Sequence, residues 1–286
     1  MATLPRLNGI IRALETGSPA FSTFVAPDRA SAKQASTSRY DGIIFECEHN
    51  QYDISELGDA FQYLLNRQQI ASAGSVVPAV TPLVRIPPNG SEMNQFLAKQ
   101  VLDIGAYGVV WPHISTAEQA YNAVAACRYP RPKTADRVEP IGMRGDGPNR
   151  ALNYWGISRP DYYNKADVWP LAPEGEILVM LMIEDVEGLN NIDEILGRVD
   201  GIGAVLIGEG DLSQELGHPR DYNHPLLLEA MAHIVAACKK HNVVVGHPPV
   251  DTGNVARALE EGYRFLMTSP VATDPALDLG RKLAAQ

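Results

Sequence analysis

Cysteine and long apolar runs are scarce in this chain of 286 residues, and each shortage excludes a class of protein. The three cysteines, Cys47, Cys127 and Cys238, are odd in number, far apart and set in apolar segments. This pattern predicts buried thiols in a reducing compartment rather than a disulfide framework or a structural zinc site. No stretch approaches the roughly 20 apolar residues of a transmembrane helix, and the first residues lack the apolar core of a signal peptide. We therefore expect a cytoplasmic protein with no membrane partner.

Positive charge is also in short supply. The chain has 24 Lys and Arg against 34 Asp and Glu, which gives a net charge of −10. A basic surface for nucleic acid is therefore not expected. The apolar fraction of 45% is ordinary for a globular protein, and the length suits one large α/β unit. We expect residues 1–286 to form a single domain that acts on a small molecule.

Short apolar runs rich in β-branched residues alternate with stretches of helical period along most of the chain. The predicted strands are Phe21–Ala26, Gly42–Cys47, Pro82–Ile86, Gly108–Trp111, Ile177–Ile183, Gly203–Ile207, Val243–Gly246 and Phe265–Thr268. The predicted helices are Arg29–Ser38, Ser55–Gln68, Glu92–Ile104, Ala117–Arg128, Gly188–Leu196, Pro225–His241, Asn254–Gly262 and a terminal run from Asp274 to Ala285. Successive βα units of this number favour an α/β fold of the (β/α)8 TIM-barrel type. An open doubly wound sheet is the alternative, although no Gly-rich phosphate-binding sequence follows the first strand.

Two segments stand outside this alternation. An amphipathic helix is predicted over Leu4–Glu15, before the first strand and ended by Gly17. The segment Tyr129–Glu176 is rich in proline, glycine, arginine and aromatic residues, and it forms a long insertion before the fifth strand. A connection of this length within a compact domain is usually functional or an interface element. Because it enters the strand at its amino end, packing against another subunit is favoured over a place beside the active site.

Polar residues are concentrated where the predicted strands end, which is where barrel enzymes hold their chemistry. They are Glu46 to His49, Arg85, His113, Glu184 with Asp185, Glu209 with Asp211, and His247. Carboxylates and histidines at one rim, with an arginine between them, indicate a site for a hard cation and an anion clamp. His113 and His247 are candidates for the lining of the pocket, with a purely structural role as the alternative.

The positions of the lysines narrow the mechanism. Carbon–carbon lyases stabilise an enolate or carbanion through a lysine Schiff base or through a metal. All seven lysines fall in predicted helices or in the long insertion, and none ends a predicted strand. A metal-dependent mechanism is therefore favoured.

Several ordered motifs resemble those of the HpcH/HpaI family of metal-dependent (class II) pyruvate aldolases, and the resemblance covers most of the chain. The motifs are DGIIFECEH (Asp41–His49), LVRIP (Leu83–Pro87), VLDIGAYGVVWPHISTAEQA (Val101–Ala120), GMRGDG (Gly142–Gly147), MIEDVEGLNNIDEIL (Met182–Leu196) and IGEGDLSQELG (Ile207–Gly217). The resemblance implies a barrel of the phosphoenolpyruvate/pyruvate-aldolase type. It also implies a homo-oligomer, a hexamer by analogy, and a divalent cation, Mg²⁺ or Mn²⁺ with Co²⁺ as a further candidate.

The resemblance assigns roles residue by residue. Glu184 and Asp211 match the two metal carboxylates, and Arg85 matches an arginine that faces the keto oxygen of the substrate. His49 matches the acid/base histidine, and Asp103 matches an aspartate that reaches a histidine across a subunit boundary. For each of them a merely structural role, such as a rim salt bridge or a helix cap, is the alternative.

The substrate pocket is expected to include the backbone N–H groups around Gly208 and Gly210, together with Asp211. Three positions depart from the family pattern. Met182 stands where glutamine is usual, Glu46 where aspartate is usual, and Glu209 where proline is usual. These departures make the pocket more apolar near Met182 and put the acceptor aldehyde in question.

The expected reaction is cleavage or formation of a 4-hydroxy-2-oxo acid, giving pyruvate and an aldehyde through a metal-bound pyruvate enolate. Two alternatives are open, and only the first shares the metal–enolate core. One is oxaloacetate decarboxylation or a citryl- or malyl-CoA lyase reaction, although no clear basic nucleotide-binding patch is visible. The other is a catalytically silent barrel that binds a 2-oxo acid.

Overall fold

The computed structural model describes residues 4–88, 95–247, 249–268 and 275–285, and its strands belong to one parallel sheet. The strands are β1 (Ala20–Ser22), β2 (Phe24–Val25), β3 (Gly42–Glu46), β4 (Thr81–Arg85), β5 (Gly108–Trp111), β6 (Val168–Trp169), β7 (Ile177–Ile183), β8 (Ala204–Ile207), β9 (Val244–His247) and β10 (Phe265–Met267). The helices are α1 (Gly9–Glu15), α2 (Arg29–Ala35), α3 (Ile54–Leu64), α4 (Arg67–Ala73), α5 (Gln95–Asp103), α6 (Ala117–Ala126), α7 (Asn149–Trp155), α8 (Arg159–Lys165), α9 (Val186–Arg198), α10 (Glu209–Glu215), α11 (Pro225–His241), α12 (Val255–Glu261) and α13 (Pro275–Ala284).

The sheet closes on itself through the first predicted strand, which is divided at Thr23. β1 pairs with β10, β2 pairs with β3, and the other pairings run in parallel from β3 through β4, β5, β7, β8 and β9 to β10. β1 and β2 together therefore act as one strand of the barrel. The short β6 pairs only with the first residues of β7 and is not part of the closed barrel. This closure confirms the predicted (β/α)8 barrel and rules out the open doubly wound sheet.

Alternate residues of each strand face two different cores. Met180 and Met182 belong to the cluster inside the barrel, whereas Val179 and Leu181 belong to the cluster between the strands and the helices. Because both faces are buried, the strands read as continuous apolar runs, as parallel sheets require.

The N-terminal helix α1 covers the amino end of the barrel. Ile10 and Ile11 are fully buried in the inner core, and the N–H of Gly9 donates to Thr81 Oγ1 at 2.7 Å, at the start of β4. The helix is shorter than predicted, because the side chain of Asn8 accepts hydrogen bonds from the N–H groups of Ile10 and Ile11 and so sets its first turn. With this end filled, the carboxyl ends of the strands remain open.

The long insertion before β7 is more structured than the sequence indicated, since it contains α7, α8 and β6. Trp155 stacks on Tyr107 with ring centroids 4.3 Å apart, and its indole donates to Gly105 O at 2.9 Å. Both partners precede β5, so the insertion packs beside the amino ends of the strands. Its predicted contact with another subunit stays a prediction.

Some predicted boundaries were wrong. The helix predicted over Ser55–Gln68 is two helices, because Asn66 caps a second one beginning at Arg67. The seven-residue helix α10 was not predicted, and the predicted starts at Glu92 and Asp274 lie outside the described residues. The three cysteines are buried and unpaired, as expected. No helix within the described ranges has both the length and the apolar character needed to cross a membrane.

Candidate active site

A cavity of about 380 Å³ opens at the carboxyl ends of the strands. Its lining mixes charged, apolar and backbone groups: Thr23, Phe24, Arg85, Met182, Glu184, Leu206, Ile207, Gly208, Glu209, Gly210, Asp211, Tyr222, Pro249, Met267 and Thr268. The sequence placed Arg85, Met182, Glu184, Gly208, Gly210 and Asp211 in one pocket, and in the structure all six line this cavity.

Three potential metal ligands lie together beside the cavity. Glu184 directly follows β7, Asp211 lies in the first turn of α10, and His113 follows β5. One ligand atom from each lies within 4.8 Å of the others. Two carboxylates and an imidazole are a donor set that suits a divalent cation.

Glu184 is held away from water at the base of this group. It is 2% exposed and accepts a hydrogen bond from the backbone N–H of His113 at 2.6 Å. Burial raises the pKa of Glu184 to about 7, and the charges of Glu48 and Asp211 act in the same direction. Positive charge at this position would therefore stabilise the carboxylate.

His113 responds to the same surplus of negative charge. A hydrogen bond to Glu48 raises its pKa to about 9, against the effect of burial, and Glu184 and Asp211 also favour the charged imidazole. The Nε2 atom lies 3.3 Å from Glu48 Oε1, and Nδ1 lies 3.7 Å from Glu184 Oε1. The group as a whole therefore attracts a cation.

Arg85 is fixed by two acidic side chains. Its Nε donates to Glu46 Oε2 at 2.5 Å, and its Nη1 lies 3.0 Å from Glu48 Oε2. The guanidinium also lies 4.4 Å from the centre of the Phe24 ring, and Nη1 contacts Met182 Sδ at 3.5 Å. These contacts with four different side chains fix the orientation of the guanidinium at the cavity wall.

His49 lies at the rim rather than inside the cavity. Its side chain is 67% exposed, and its Nε2 lies 3.5 Å from Glu48 Oε2. The backbone N–H of His49 donates to Glu46 Oε1 at 3.2 Å. Glu46, whose side chain is longer than the aspartate usual in the family, therefore contacts both this turn and Arg85. An exposed imidazole next to a carboxylate can exchange protons with solvent and with a bound molecule.

The loop after β8 brings its backbone close to Glu184. A Cβ atom at Gly208 would collide with the Glu184 carboxylate, whereas a Cβ at Gly210 would meet open space. Glu209 between them is partly buried, and this burial raises its pKa to about 7. Glycine at position 208 is therefore required by the position of Glu184.

Asp103 does not join this group within the chain. It ends α5, the helix that returns to the amino end of β5, and it forms an ion pair with the buried Arg144 at 3.0 Å. Burial raises the pKa of Asp103, although Arg144 opposes the shift. Any contact with an active site would have to be made in a second copy of the chain.

Glu48 was missed as a functional candidate. Its side chain is 5% exposed and contacts Arg85, His49 and His113. The signal in the sequence was its place between Glu46 and His49 at a strand end, but only the folded chain brings His113 to it.

His247, which follows a predicted strand and was a candidate for the lining of the pocket, is not among the described residues that line the cavity. Its ring packs edge-on against Tyr263, with centroids 4.6 Å apart.

Comparisons with known proteins agree along most of the chain. The family model described as HpcH/HpaI aldolase/citrate lyase matches residues 22–269. A 2-keto-3-deoxy-L-rhamnonate aldolase of Klebsiella pneumoniae is 32% identical over 236 residues, which are 82% of this chain and 76% of that protein. A hydroxypyruvate/pyruvate aldolase of Roseobacter denitrificans is 28% identical over 283 residues, covering 98% of this chain and 97% of that one. The crystal structure of an HpcH/HpaI aldolase/citrate lyase family protein from Burkholderia cenocepacia superposes with a TM-score of 0.74 at 26% identity, covering 97% of this chain and 96% of that one.

Proposed function

The chain belongs to the HpcH/HpaI aldolase/citrate lyase family and is a carbon–carbon lyase, and we propose that it cleaves or forms a 4-hydroxy-2-oxo acid with pyruvate and an aldehyde as the partners. The observation that carries this proposal is the meeting of Arg85 with Glu184 and Asp211 around one cavity at the carboxyl ends of the strands. A 2-oxo acid presents a carboxylate and a keto oxygen, and these groups match the arginine and a cation held by the two carboxylates. Membership of the family and the similarity to aldolases disfavour the alternative of a catalytically silent barrel that only binds a 2-oxo acid.

The donor set fits a divalent cation. Glu184 and Asp211 would hold Mg²⁺, Mn²⁺ or Co²⁺, because their oxygens lie within reach of one another and burial disfavours the Glu184 carboxylate unless positive charge lies beside it. When bound, such a cation polarises the 2-oxo group and stabilises the negative charge that develops as the bond breaks.

Arg85 would place a fixed positive charge beside the keto oxygen of the substrate. Because Glu46, Glu48 and Phe24 already hold the guanidinium, it needs no reorganisation when charge develops on the keto oxygen. A donor aligned in advance stabilises the transition state more than the bound substrate. Arg85 therefore acts on the pyruvate half of the substrate.

His49 is the proposed acid/base residue. It would take the proton of the 4-hydroxyl group during cleavage, directly or through a water molecule, and return it during synthesis. Its exposed position at the rim, in contact with Glu48, suits a group that exchanges protons with the outer part of the substrate. Backbone N–H groups around Gly208 and Gly210 would bind the substrate carboxylate, and Met182 would contribute an apolar wall.

Asp103 is proposed to act across a subunit boundary in a homo-oligomer. Its carboxylate lies at the amino end of the barrel, so it would complete the site of a neighbouring copy and not its own. The oligomer is therefore part of the proposal. A hexamer is the state that the family resemblance implies.

An assay separates this reaction from its nearest alternative. Purified protein is incubated with Mn²⁺, pyruvate and a panel of aldehydes, and new 4-hydroxy-2-oxo acids are followed by NMR. Release of pyruvate from oxaloacetate alone, with no condensation product from any aldehyde, would favour a decarboxylase. Glu184→Ala should abolish the metal-dependent reaction, and Glu187→Ala, an exposed carboxylate on the next helical turn, is the matched control.

A further inference from the structure

His113 lies beside Glu184, but the proposed mechanism gives it no role. It follows Trp111 and Pro112 after β5 and adopts a φ of +53°, a left-handed conformation that residues with a Cβ rarely adopt. Its backbone N–H donates to Glu184 Oε1 at 2.6 Å. The strained turn therefore holds the imidazole directly beside a proposed metal ligand.

The imidazole lies between two carboxylates that face different nitrogens. Nε2 is 3.3 Å from Glu48 Oε1, and Nδ1 is 3.7 Å from Glu184 Oε1. A metal-bound histidine typically donates its other N–H to a carboxylate, which fixes the tautomer and the ring orientation. Glu48, which Arg85 also holds in place, is positioned to accept that hydrogen bond from Nε2 and to leave Nδ1, on the side of Glu184, free to bind a metal.

The distances suit a shared cation. Ligand bonds of about 2.1 Å to one ion separate neighbouring donor atoms by roughly 3 to 3.5 Å. The 3.7 Å between Nδ1 and Glu184 Oε1 requires only a small inward movement of the ring. The side chain of His113 is 39% exposed, so packing confines the ring only in part.

We propose that His113 is a third protein ligand of the divalent cation, bound through Nδ1 and oriented by Glu48. This inference rests on the proposed function, since it concerns the same cation as Glu184 and Asp211. An imidazole nitrogen favours Mn²⁺ and, more strongly, Co²⁺, whereas Mg²⁺ prefers an all-oxygen environment. The site is therefore selective for transition metals over Mg²⁺.

The direct test uses electron spin echo spectroscopy of the Mn²⁺-loaded protein, which detects a nitrogen bound to the metal. The expected result is a histidine ¹⁴N coupling in the wild type and its loss in His113→Asn. Asparagine tolerates the left-handed backbone conformation, so this variant keeps the turn while removing the imidazole. His49→Ala is the matched control, because it removes the other histidine that contacts Glu48, and it should retain the coupling.

Metal affinities give a second readout. In calorimetric titrations, His113→Asn should weaken Co²⁺ binding by about 10- to 100-fold and Mg²⁺ binding by less than about threefold, because only Co²⁺ gains from the nitrogen ligand. Equal losses for both ions, or a wild type without ¹⁴N coupling, would overturn the proposal. So would loss of the coupling in His49→Ala with retention in His113→Asn.

The same samples separate failure of this inference from failure of the proposed function. A wild type that binds Mn²⁺ through oxygen ligands only and still forms 4-hydroxy-2-oxo acids would refute the role of His113 and leave the aldolase intact. A wild type that binds no divalent cation in the presence or absence of pyruvate would refute both.

Discussion

The Glu184 carboxylate occupies the space that a side chain at Gly208 would need. A Cβ atom built at Gly208 collides with the Glu184 side chain, and this position therefore admits only glycine unless the carboxylate moves. Glu184 is also buried, so it has few other orientations available. The glycine in the loop after β8 and the acid after β7 thus form one structural unit.

The first prediction follows from this pair. Gly208→Ala should push the carboxylate out of place and weaken Mn²⁺ binding by at least tenfold, a loss of about 1.4 kcal/mol in binding free energy. Calorimetric titration of the apoprotein measures this change. Gly210→Ala is the matched control, because a Cβ there meets open space. Equal affinity of the two variants would contradict the proposed packing.

Arg85→Lys should reduce kcat far more than it raises KM for the 2-oxo acid. A lysine ammonium cannot make the Nε contact with Glu46 and the Nη1 contact with Glu48 at once, so the positive charge would no longer be fixed at the keto oxygen. We expect kcat to fall by about 10²- to 10³-fold, as for the loss of one oxyanion donor. Steady-state kinetics with saturating Mn²⁺ test this, and a change confined to KM would argue for ground-state binding alone.

The subunit boundary can be tested by complementation. Asp103→Asn and Glu184→Gln should each be inactive as pure oligomers, the first through the neighbouring site and the second through its own. Co-expressed subunits should recover activity, because some sites then combine an intact Asp103 from one copy with an intact Glu184 from another. If Asp103 acted only through its ion pair with Arg144, the mixture would gain nothing. Light scattering establishes the oligomeric state of each sample.

A buried ion pair in the long insertion predicts how stability depends on pH. Burial of Asp167 opposes its ionisation, but hydrogen bonds from Arg128 and the charge of Arg131 hold the pKa of this carboxyl below its usual value. A lowered pKa in the folded state contributes stability that is fully present above the unfolded pKa of about 3.9 and is lost as the pH falls through the folded pKa. The contribution of Asp167 should therefore fade only in acid.

Asp167→Asn should lower the free energy of unfolding by about 3 to 5 kcal/mol at pH 7, because it leaves the fully buried Arg128 without its charge partner. The difference from the wild type should shrink as the pH falls below about 4. Urea unfolding across this pH range is the measurement. Asp193→Asn, which removes exposed contacts with Lys240 and His241, is the control and should change the free energy of unfolding far less.

The sequence predicted the barrel because a parallel barrel repeats one local pattern. Each strand is a short apolar run, and each helix has apolar residues at helical spacing. The order of elements could therefore be predicted without knowing any long-range contact. The errors came where local capping decides a boundary, as at Asn8 and Asn66, or where a segment such as α7 packs through aromatic contacts that have no period.

The sequence by itself also determined which chemistry was available at the rim, since the residues that end parallel strands meet at one edge whatever the details of packing. Glu184, Asp211 and Arg85 were found in this way. Only the tertiary structure decided how these side chains are arranged. It brought His113 and Glu48 into contact across strands that are separate in the chain, left the His49 side chain exposed at the rim, and paired Asp103 with Arg144. Distances and burial between residues far apart in sequence depend on side-chain packing in three dimensions, and no local pattern encodes them.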